Sequence, residues 1–271
     1  MKIDLHNHTV YSDGILSCEE LYERAVSAGV DVFALTDHDT VFGCEEMLLL
    51  DGKKKTRVIL GLELSTVYQK ESVHLVCLFK NNRIPKAMVD YSYFMIESRK
   101  KRAVRMMEQI QQIYHLKMNI EELLQESKTV TRANMMRHLA KYNAITPKEA
   151  SFYVSKTSKA YLPSTEITTE EGIRLAKAAN CIVILAHPCL LPRPIVEQIV
   201  QMGIDGLEVR YPDNREGDEA YFRHLAATHH LLCSAGSDCH GDSSHADIGS
   251  ATLDETEFKP LSERIGFSYG D

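Results

Sequence analysis

The sequence predicts an α/β fold of barrel type interrupted by an all-helical insertion, and three observations carry that expectation. Short apolar runs suited to buried strands alternate with helical stretches along both ends of the chain. Clusters rich in histidine and carboxylate follow those runs, at the strand ends where parallel α/β folds build their sites. Between residues 86 and 164 the strand-like runs vanish and helical signals take over. The expected division is a barrel of residues 1–85 and 165–271 with an inserted helical subdomain of residues 86–164.

The first segment reads Asp4-Leu5-His6-Asn7-His8-Thr9-Val10-Tyr11-Ser12-Asp13-Gly14. On a strand, side chains two apart share a face, so His6 and His8 form a two-point metal claw with Asp4 as a possible orienting carboxylate. Ser17-Cys18-Glu19-Glu20 is a capping box that opens a helix, and Gly29 supplies its stop. Val32-Phe33-Ala34-Leu35 is a strand ending in Thr36-Asp37-His38-Asp39-Thr40. A helical stretch over 42–50 leads to Val58-Ile59-Leu60-Gly61-Leu62-Glu63, read as a strand with a carboxylate at its end. Residues 73–79 make a fourth strand, with His74 near its start.

In the insertion, Met88, Tyr91, Met95, Met106, Ile110 and Ile113 lie near one face of a long helix. The basic cluster Arg99, Lys100, Lys101, Arg102 and Arg105 reads as its solvated face. Asn119 with Glu122 and Thr146-Pro147-Lys148-Glu149 mark further helix starts. The alternation then resumes: a helix capped at 168–171, a strand over 181–186 ending in His187-Pro188, a helix over 194–202 and the strand 206–209. A helix over 216–229 follows, and the strand 231–235 runs into Gly236-Ser237-Asp238-Cys239-His240-Gly241. Residues 247–271 show only weak periodicity.

Composition bounds the function. At 44% hydrophobic and 25% charged residues the chain is ordinary for a globular protein, and no apolar run approaches the ~20 residues that span a bilayer. No membrane association is expected, and the N-terminus lacks the pattern of a signal peptide. Seven cysteines without C-x-x-C pairs fit reduced thiols and a cytoplasmic location. A net charge of −7 argues against nonspecific nucleic-acid coating, so no stable nucleic-acid partner is expected. Oligomeric state is left open.

The metal-capable residues at strand ends are His6, His8, Asp13, His38, Glu63, His74, His187, Asp238 and His240. Each alone has a bland explanation as a polar strand-end residue. Together they are difficult to stabilise without cations, because clustered carboxylates repel and buried imidazoles need partners. A multinuclear metal site is the economical reading, and two cations roughly 3.5–4 Å apart would activate a hydroxide and stabilise both attacking and leaving oxygens of a phosphoester.

The motifs D-L-H-N-H-T-V-Y-S-D-G, T-D-H-D-T, G-L-E, A-H-P and G-S-D-C-H-G, in this order, resemble those of the polymerase and histidinol phosphatase (PHP) superfamily. The resemblance implies a distorted (β/α)7 barrel with three divalent transition-metal ions, manganese, zinc or iron, at its C-terminal face. It implies that His6, His8, Glu63 and Asp238 hold one ion, that Glu63 bridges to a second held by His74 and His187, and that Asp13, His38 and His240 hold the third. Of these, Glu63, Asp13, His38, His187 and His240 are the expected catalytic residues.

The helical insertion resembles that of the stand-alone phosphoesterases acting on nucleotides such as AMP or nucleoside 3′,5′-bisphosphates, some also trimming short RNA. In that branch the arginine at position 132 meets the substrate phosphate. Proline and histidine commonly follow it, whereas this chain has Ala133 and Asn134. The expected function is metal-dependent hydrolysis of a small phosphorylated substrate, a nucleotide. The alternatives are a histidinol-phosphate phosphatase and a noncatalytic nucleotide-binding module.

Overall fold

The structure, a computed structural model, describes residues 1–126, 129–163, 165 and 167–268. Seven strands form one sheet in chain order: β1 (Ile3–Asp4), β2 (Val32–Leu35), β3 (Arg57–Tyr68), β4 (Glu71–Leu78), β5 (Ile182–Leu185), β6 (Gly206–Arg210) and β7 (Leu232–Ala235). The sheet nearly closes on itself between its first and last strands. Leu5 N–H donates to the Ala235 carbonyl, Asp238 N–H to that of His6 and His8 N–H to that of Cys239, each at 2.9 Å. The closing seam is thus made largely by the residues on either side of the first and last histidine motifs. A side chain at Gly236 could not be accommodated there, since its Cβ would lie 2.2 Å from that of His6.

Alternation along the strands sorts two cores. Val32, Ala34, Ile59, Val76, Ile182 and Ile184 point to one side and pack with Phe258, Leu261 and Ile265 of α10 (Glu255–Ile265), which closes the barrel end remote from the histidine motifs. Phe33, Leu35, Val58, Leu60, Val183 and Leu185 point the other way, into the layer of surrounding helices. That layer contains α1 (Cys18–Ser27), α2 (Cys44–Leu48), α7 (Thr169–Ala178), α8 (Arg193–Val200) and α9 (Asp218–Thr228). Capping boxes form at Ser17/Glu20 and Thr168/Glu171 as expected, each stabilising its helix by about 1 kcal/mol. The weakly periodic tail contains a helix as well: Asp254 and Glu257 form a third such box and start α10.

Two features depart from the expected parallel pattern. β4 runs antiparallel to both β3 and β5, while the other neighbouring strands are parallel. The start of β4 therefore lies with the C-terminal ends of the rest, which brings His74 to the site although it precedes most of its strand. Glu63 is not at a strand end but within the twelve-residue β3, opposite Val76. The hairpin of β3 and β4 simply continues past the barrel rim.

The insertion holds α3 (Lys86–Tyr114), α4 (Ile120–Glu126), α5 (Arg132–Asn143) and α6 (Pro147–Val154). At 29 residues, α3 is about 44 Å long at 1.5 Å per residue. Its first turns belong to the barrel, where Met88, Tyr91 and Met95 join the helix-layer core. Its last turns belong to the insertion, where Ala103, Met106, Met107 and Ile110 pack with Leu123, Met135 and Val154. Ile113, expected on the same face, is exposed. The expected end of the insertion at Ser164 lies outside the described residues. The basic stretch is not a uniformly solvated face: Arg99 and Arg102 are buried, because the helix passes between barrel and insertion at that level.

Candidate metal centre and its cavity

All nine predicted ligand residues meet at the barrel's open end. Three groups form, each with ligand atoms within 4.8 Å of one another: His8, Asp13, His38 and His240; His6, His8, Glu63 and Asp238; and His38, Glu63 and His74. His187 joins the last through its Nε2, 3.0 Å from Glu63 Oε1. Glu63 is the hub, with His6, His8, His38, His74 and His187 nitrogens all within 3.3 Å of its two oxygens.

Several of these atoms face one another without hydrogen bonding. His6 Nε2, His8 Nε2, His38 Nδ1, Asp13 Oδ1, Glu63 Oε2 and Asp238 Oδ1 are buried and have no hydrogen-bond partner among the described residues. Yet His8 Nε2 lies 3.0 Å from Asp238 Oδ1, and His38 Nδ1 lies 2.9 Å from Glu63 Oε2. Donors and acceptors at such distances but with unsuitable angles are directed at shared points in space. A set of imidazole nitrogens and carboxylate oxygens so arranged fits divalent transition metals.

Within the cluster, imidazoles and carboxylates compensate one another's charge. Burial alone would raise the carboxyls of Glu63, Asp13 and Asp238, but the adjacent imidazoles hold all three well below the usual carboxylate range. Burial, with His240 beside it, pushes His8 down to about 3, so this ring is neutral and able to ligate. His240, despite its own burial, is drawn up to about 10 by Asp13.

Partners behind the cluster orient it. Glu208 accepts from His6 Nδ1 at 3.1 Å with one oxygen and from the His187 backbone N–H at 2.6 Å with the other. Since a carboxylate can only accept, His6 Nδ1 carries a proton and Nε2 offers its lone pair to the centre. Asp4, expected in that role, instead binds the last motif, accepting from Ser237 Oγ at 2.5 Å, Ser237 N–H at 3.0 Å and Gly249 N–H at 2.7 Å. Tyr211 donates its hydroxyl to Asp238 Oδ2 at 3.0 Å. Neither Glu208 nor Tyr211 stands out in the sequence, because a single carboxylate or phenol in a strand carries no pattern.

The T-D-H-D-T motif divides its labour in a similar way. Asp37 accepts from Thr9 N–H, Thr9 Oγ1 and Ser12 Oγ at 2.6–2.7 Å and so fixes the loop that presents Asp13. Asp39 accepts from Ser65 N–H at 2.7 Å, from the Tyr91 hydroxyl at 2.8 Å and from Arg99 Nε at 2.9 Å. This buried pair, its carboxyl held low against burial chiefly by Arg99, ties α3 to the motif that carries His38. Asp39, His187 and Asp238 have φ of 53°, 30° and 52°, the left-handed region that side chains rarely occupy away from functional sites.

Above the cluster is a cavity of about 370 Å³ whose walls include Asp13, His38, His74, Arg99, Arg102 and Arg132. Arg132, in the first turn of α5, lies with its guanidinium 5.9 Å from the centre of the Tyr161 ring. Asn134 does not reach the site: its Oδ1 accepts from Thr131 N–H and Oγ1, both at 2.8 Å, completing the capping box of α5. About one turn on, Arg137 donates to the Asp13 carbonyl at 2.9 Å, so α5 also braces the loop that carries Asp13. Arg102 is 7% exposed; its Nε donates to the Leu162 carbonyl at 3.0 Å while Nη1 and Nη2 have no partner among the described residues. Burial, with Arg99 and Arg132 nearby, lowers it to about 9, and at neutral pH it remains charged.

A barrel with a buried histidine and carboxylate cluster at one end and guanidinium groups facing it defines a class of metal-dependent hydrolases acting on anionic esters. The chain belongs to the PHP domain family, which matches residues 4–145. It is 28% identical over 261 residues to a 5′-3′ exoribonuclease of Haemophilus influenzae, covering 92% of this chain and 93% of that one. It is 26% identical to the 3′,5′-nucleoside bisphosphate phosphatase of Chromobacterium violaceum, over 88% and 87% of the two chains. The fold superimposes with a TM-score of 0.86 and 27% identity on a protein of Bifidobacterium adolescentis described as a candidate metal-dependent phosphoesterase, over 97% and 96% of the two chains. Among the described residues no helix is long and apolar enough to cross a membrane.

Proposed function

We propose that the protein is a metal-dependent phosphoesterase that hydrolyses phosphate esters of nucleotides or short RNA, using His6, His8, Asp13, His38, Glu63, His74, His187, Asp238 and His240 as ligands. The observation that carries this reading is the opposition of two sets of unsatisfied atoms. Buried imidazole and carboxylate atoms without hydrogen-bond partners gather at the cavity's base, and Arg102, whose Nη1 and Nη2 also lack partners among the described residues, lines its wall with Arg132. The exoribonuclease and bisphosphate phosphatase relatives support the substrate class.

When bound, the cations supply Lewis-acid polarisation of a phosphoryl oxygen and lower the pKa of water toward neutrality. The chain's own part is positional. Glu63 spans two of the ligand groups with its two oxygens, and Asp13, His38 and His240 form the third. Arg132 and Arg102 bind the non-bridging oxygens of the phosphate, each charge-assisted contact contributing about 1.5–3 kcal/mol. Met136 and Val154 make part of the cavity wall apolar, which strengthens these contacts by excluding water.

The test is phosphate release from mononucleotides, nucleoside 3′,5′-bisphosphates, short RNA and histidinol phosphate with Mn²⁺ supplied, alongside elemental analysis of the reconstituted protein. Release from a nucleotide or RNA and about three ions per chain are expected. Release from histidinol phosphate alone reassigns the substrate, and no release from any of them makes the protein a binding module. A maximum of one ion per chain overturns the three-site partition.

A further inference from the structure

On the far side of Arg102 is a second cavity of about 430 Å³, between α3 and Leu162, Pro163, Thr165, Ile167 and Glu171. Its α3 wall is formed by Phe94, Ser98, Lys101, Arg102 and Arg105, a spacing that places all five along one helical face. Phe94 is 61% exposed. Lys101 and Arg105 are exposed and have no ion-pair partner among the described residues, in contrast to Lys86 and Lys100 on the same helix, which pair with Asp90 and Glu97. Glu171 is the carboxylate among the described lining residues, and its Oε2 is already committed to Thr168, accepting from N–H at 2.9 Å and Oγ1 at 3.0 Å.

Arg102 belongs to the walls of both cavities, and its buried Nη1 and Nη2 lack partners among the described residues. A buried cation without a counter-ion costs stability unless a ligand supplies the anion. In a chain of net charge −7, three cations lining one cavity beside an exposed aromatic ring are a local feature rather than a general surface property. Cations that follow a backbone, interleaved with an aromatic face that accepts any base, are the combination that binds single-stranded nucleic acid.

We propose that this second cavity receives the nucleotide adjoining the one that bears the scissile phosphoester. The protein then takes short single-stranded oligonucleotides as substrates, with Lys101 and Arg105 on the next phosphodiester and Phe94 against the next base. The inference rests on the phosphoesterase reading of the first cavity. A mononucleotide fills only that first cavity and is indifferent to the second, so the two substrates separate the roles.

The experiment uses the full chain carrying Lys101→Ala with Arg105→Ala, or Phe94→Ala, with Phe94→Tyr as the conservative control. Two readouts are taken: kcat/KM for a mononucleotide and for a five-nucleotide RNA with Mn²⁺, and the Kd of a fluorescent phosphorothioate RNA of the same length across NaCl concentrations. Expected values are a mononucleotide kcat/KM within about twofold of the parent, and an oligonucleotide KM and Kd raised about tenfold, with Phe94→Tyr near the parent. The salt slope of RNA binding should flatten by about 1.4 in the double variant, from two lost phosphate contacts at about 0.7 each.

Parent-like RNA binding in the variants overturns the proposal, and so does an equal loss for both substrates. Failure of the parent to bind RNA, or displacement of the bound RNA by an acidic peptide but not by a second RNA, also overturns it. If the parent hydrolyses no nucleotide, the phosphoesterase reading fails by itself, and RNA binding still decides the role of the cavity.

Discussion

The floor and the roof of the active cavity are built on opposite principles. The floor, at the barrel end, gathers carboxylates and imidazoles whose lone pairs point at common centres, so it is made to hold cations. The roof, from α3 and α5 of the insertion, presents guanidinium groups, a set we propose holds an anion. Floor ligands come from short motifs at many strand ends, so each is fixed by backbone hydrogen bonds of the sheet and its closing seam. Roof cations come from long side chains on helices. If the two sets act as proposed, chemistry and substrate choice are separable, and each is expected to be removable without the other.

The largest expected effect is on the floor. Glu63→Ala removes the carboxylate shared between ligand groups, and turnover should fall on the order of 1,000-fold with loss of bound metal. His240→Ala removes a contact from one edge, with an expected loss of about 10- to 100-fold. Elemental analysis and kcat decide the matter, and near-native metal content in Glu63→Ala would end the bridging assignment.

A smaller effect is expected on the roof. Arg132→Ala should lower kcat/KM for a nucleotide at least about tenfold, equivalent to 1.4 kcal/mol, while metal content and Tm stay unchanged. Unaltered kinetics would remove Arg132 from phosphate recognition. A fall in metal content would show that roof and floor are not separable.

The smallest and most diagnostic effect concerns stability. Arg102 is charged, buried and short of partners, so Arg102→Met should raise Tm by about 2–4 °C while lowering kcat/KM. Its folded pKa, about 9, lies below that of the unfolded chain, so the unfolded state holds more protons once pH exceeds 9. The parent therefore gains stability as pH rises through 9, and the Tm gap should narrow between pH 7 and pH 10. A parent more stable than the variant at pH 7 would mean that the guanidinium is already compensated in the folded protein.

Legibility in the sequence followed the same division. The strands around 32–35 and 182–185 were readable because runs buried on both faces have little else they can form. The nine floor residues were readable because histidine and carboxylate recur in short motifs at strand ends. His74 was placed at a strand start, and only the reversed direction of β4 explains why that start reaches the site. Glu63 was placed at a strand end because the sequence does not show that β3 continues as half of a hairpin.

Arg99 and Arg102 were read as solvated because helical periodicity gives the angle of a side chain about the axis and not what stands opposite. Glu208 was passed over because its role depends on a partner 202 residues away. α10 was missed although its capping pair, Asp254 and Glu257, was present, since the short apolar stripe behind it is interrupted by Pro260.

The length of α3 has a mechanical consequence. One unbroken helix is held by barrel residues near Met88 and Met95 and by insertion residues near Met106 and Ile110, with the Arg99–Asp39 pair as a rivet between them. Floor and roof are therefore registered by a stiff strut and not by a flexible joint. Whatever is built on the strut's far end, beyond Tyr114, is carried by the same helix that is pinned to the histidine and carboxylate cluster. Replacing that region on an intact α3 is expected to alter the shape of the molecule that can enter, while leaving the cluster beneath it in place.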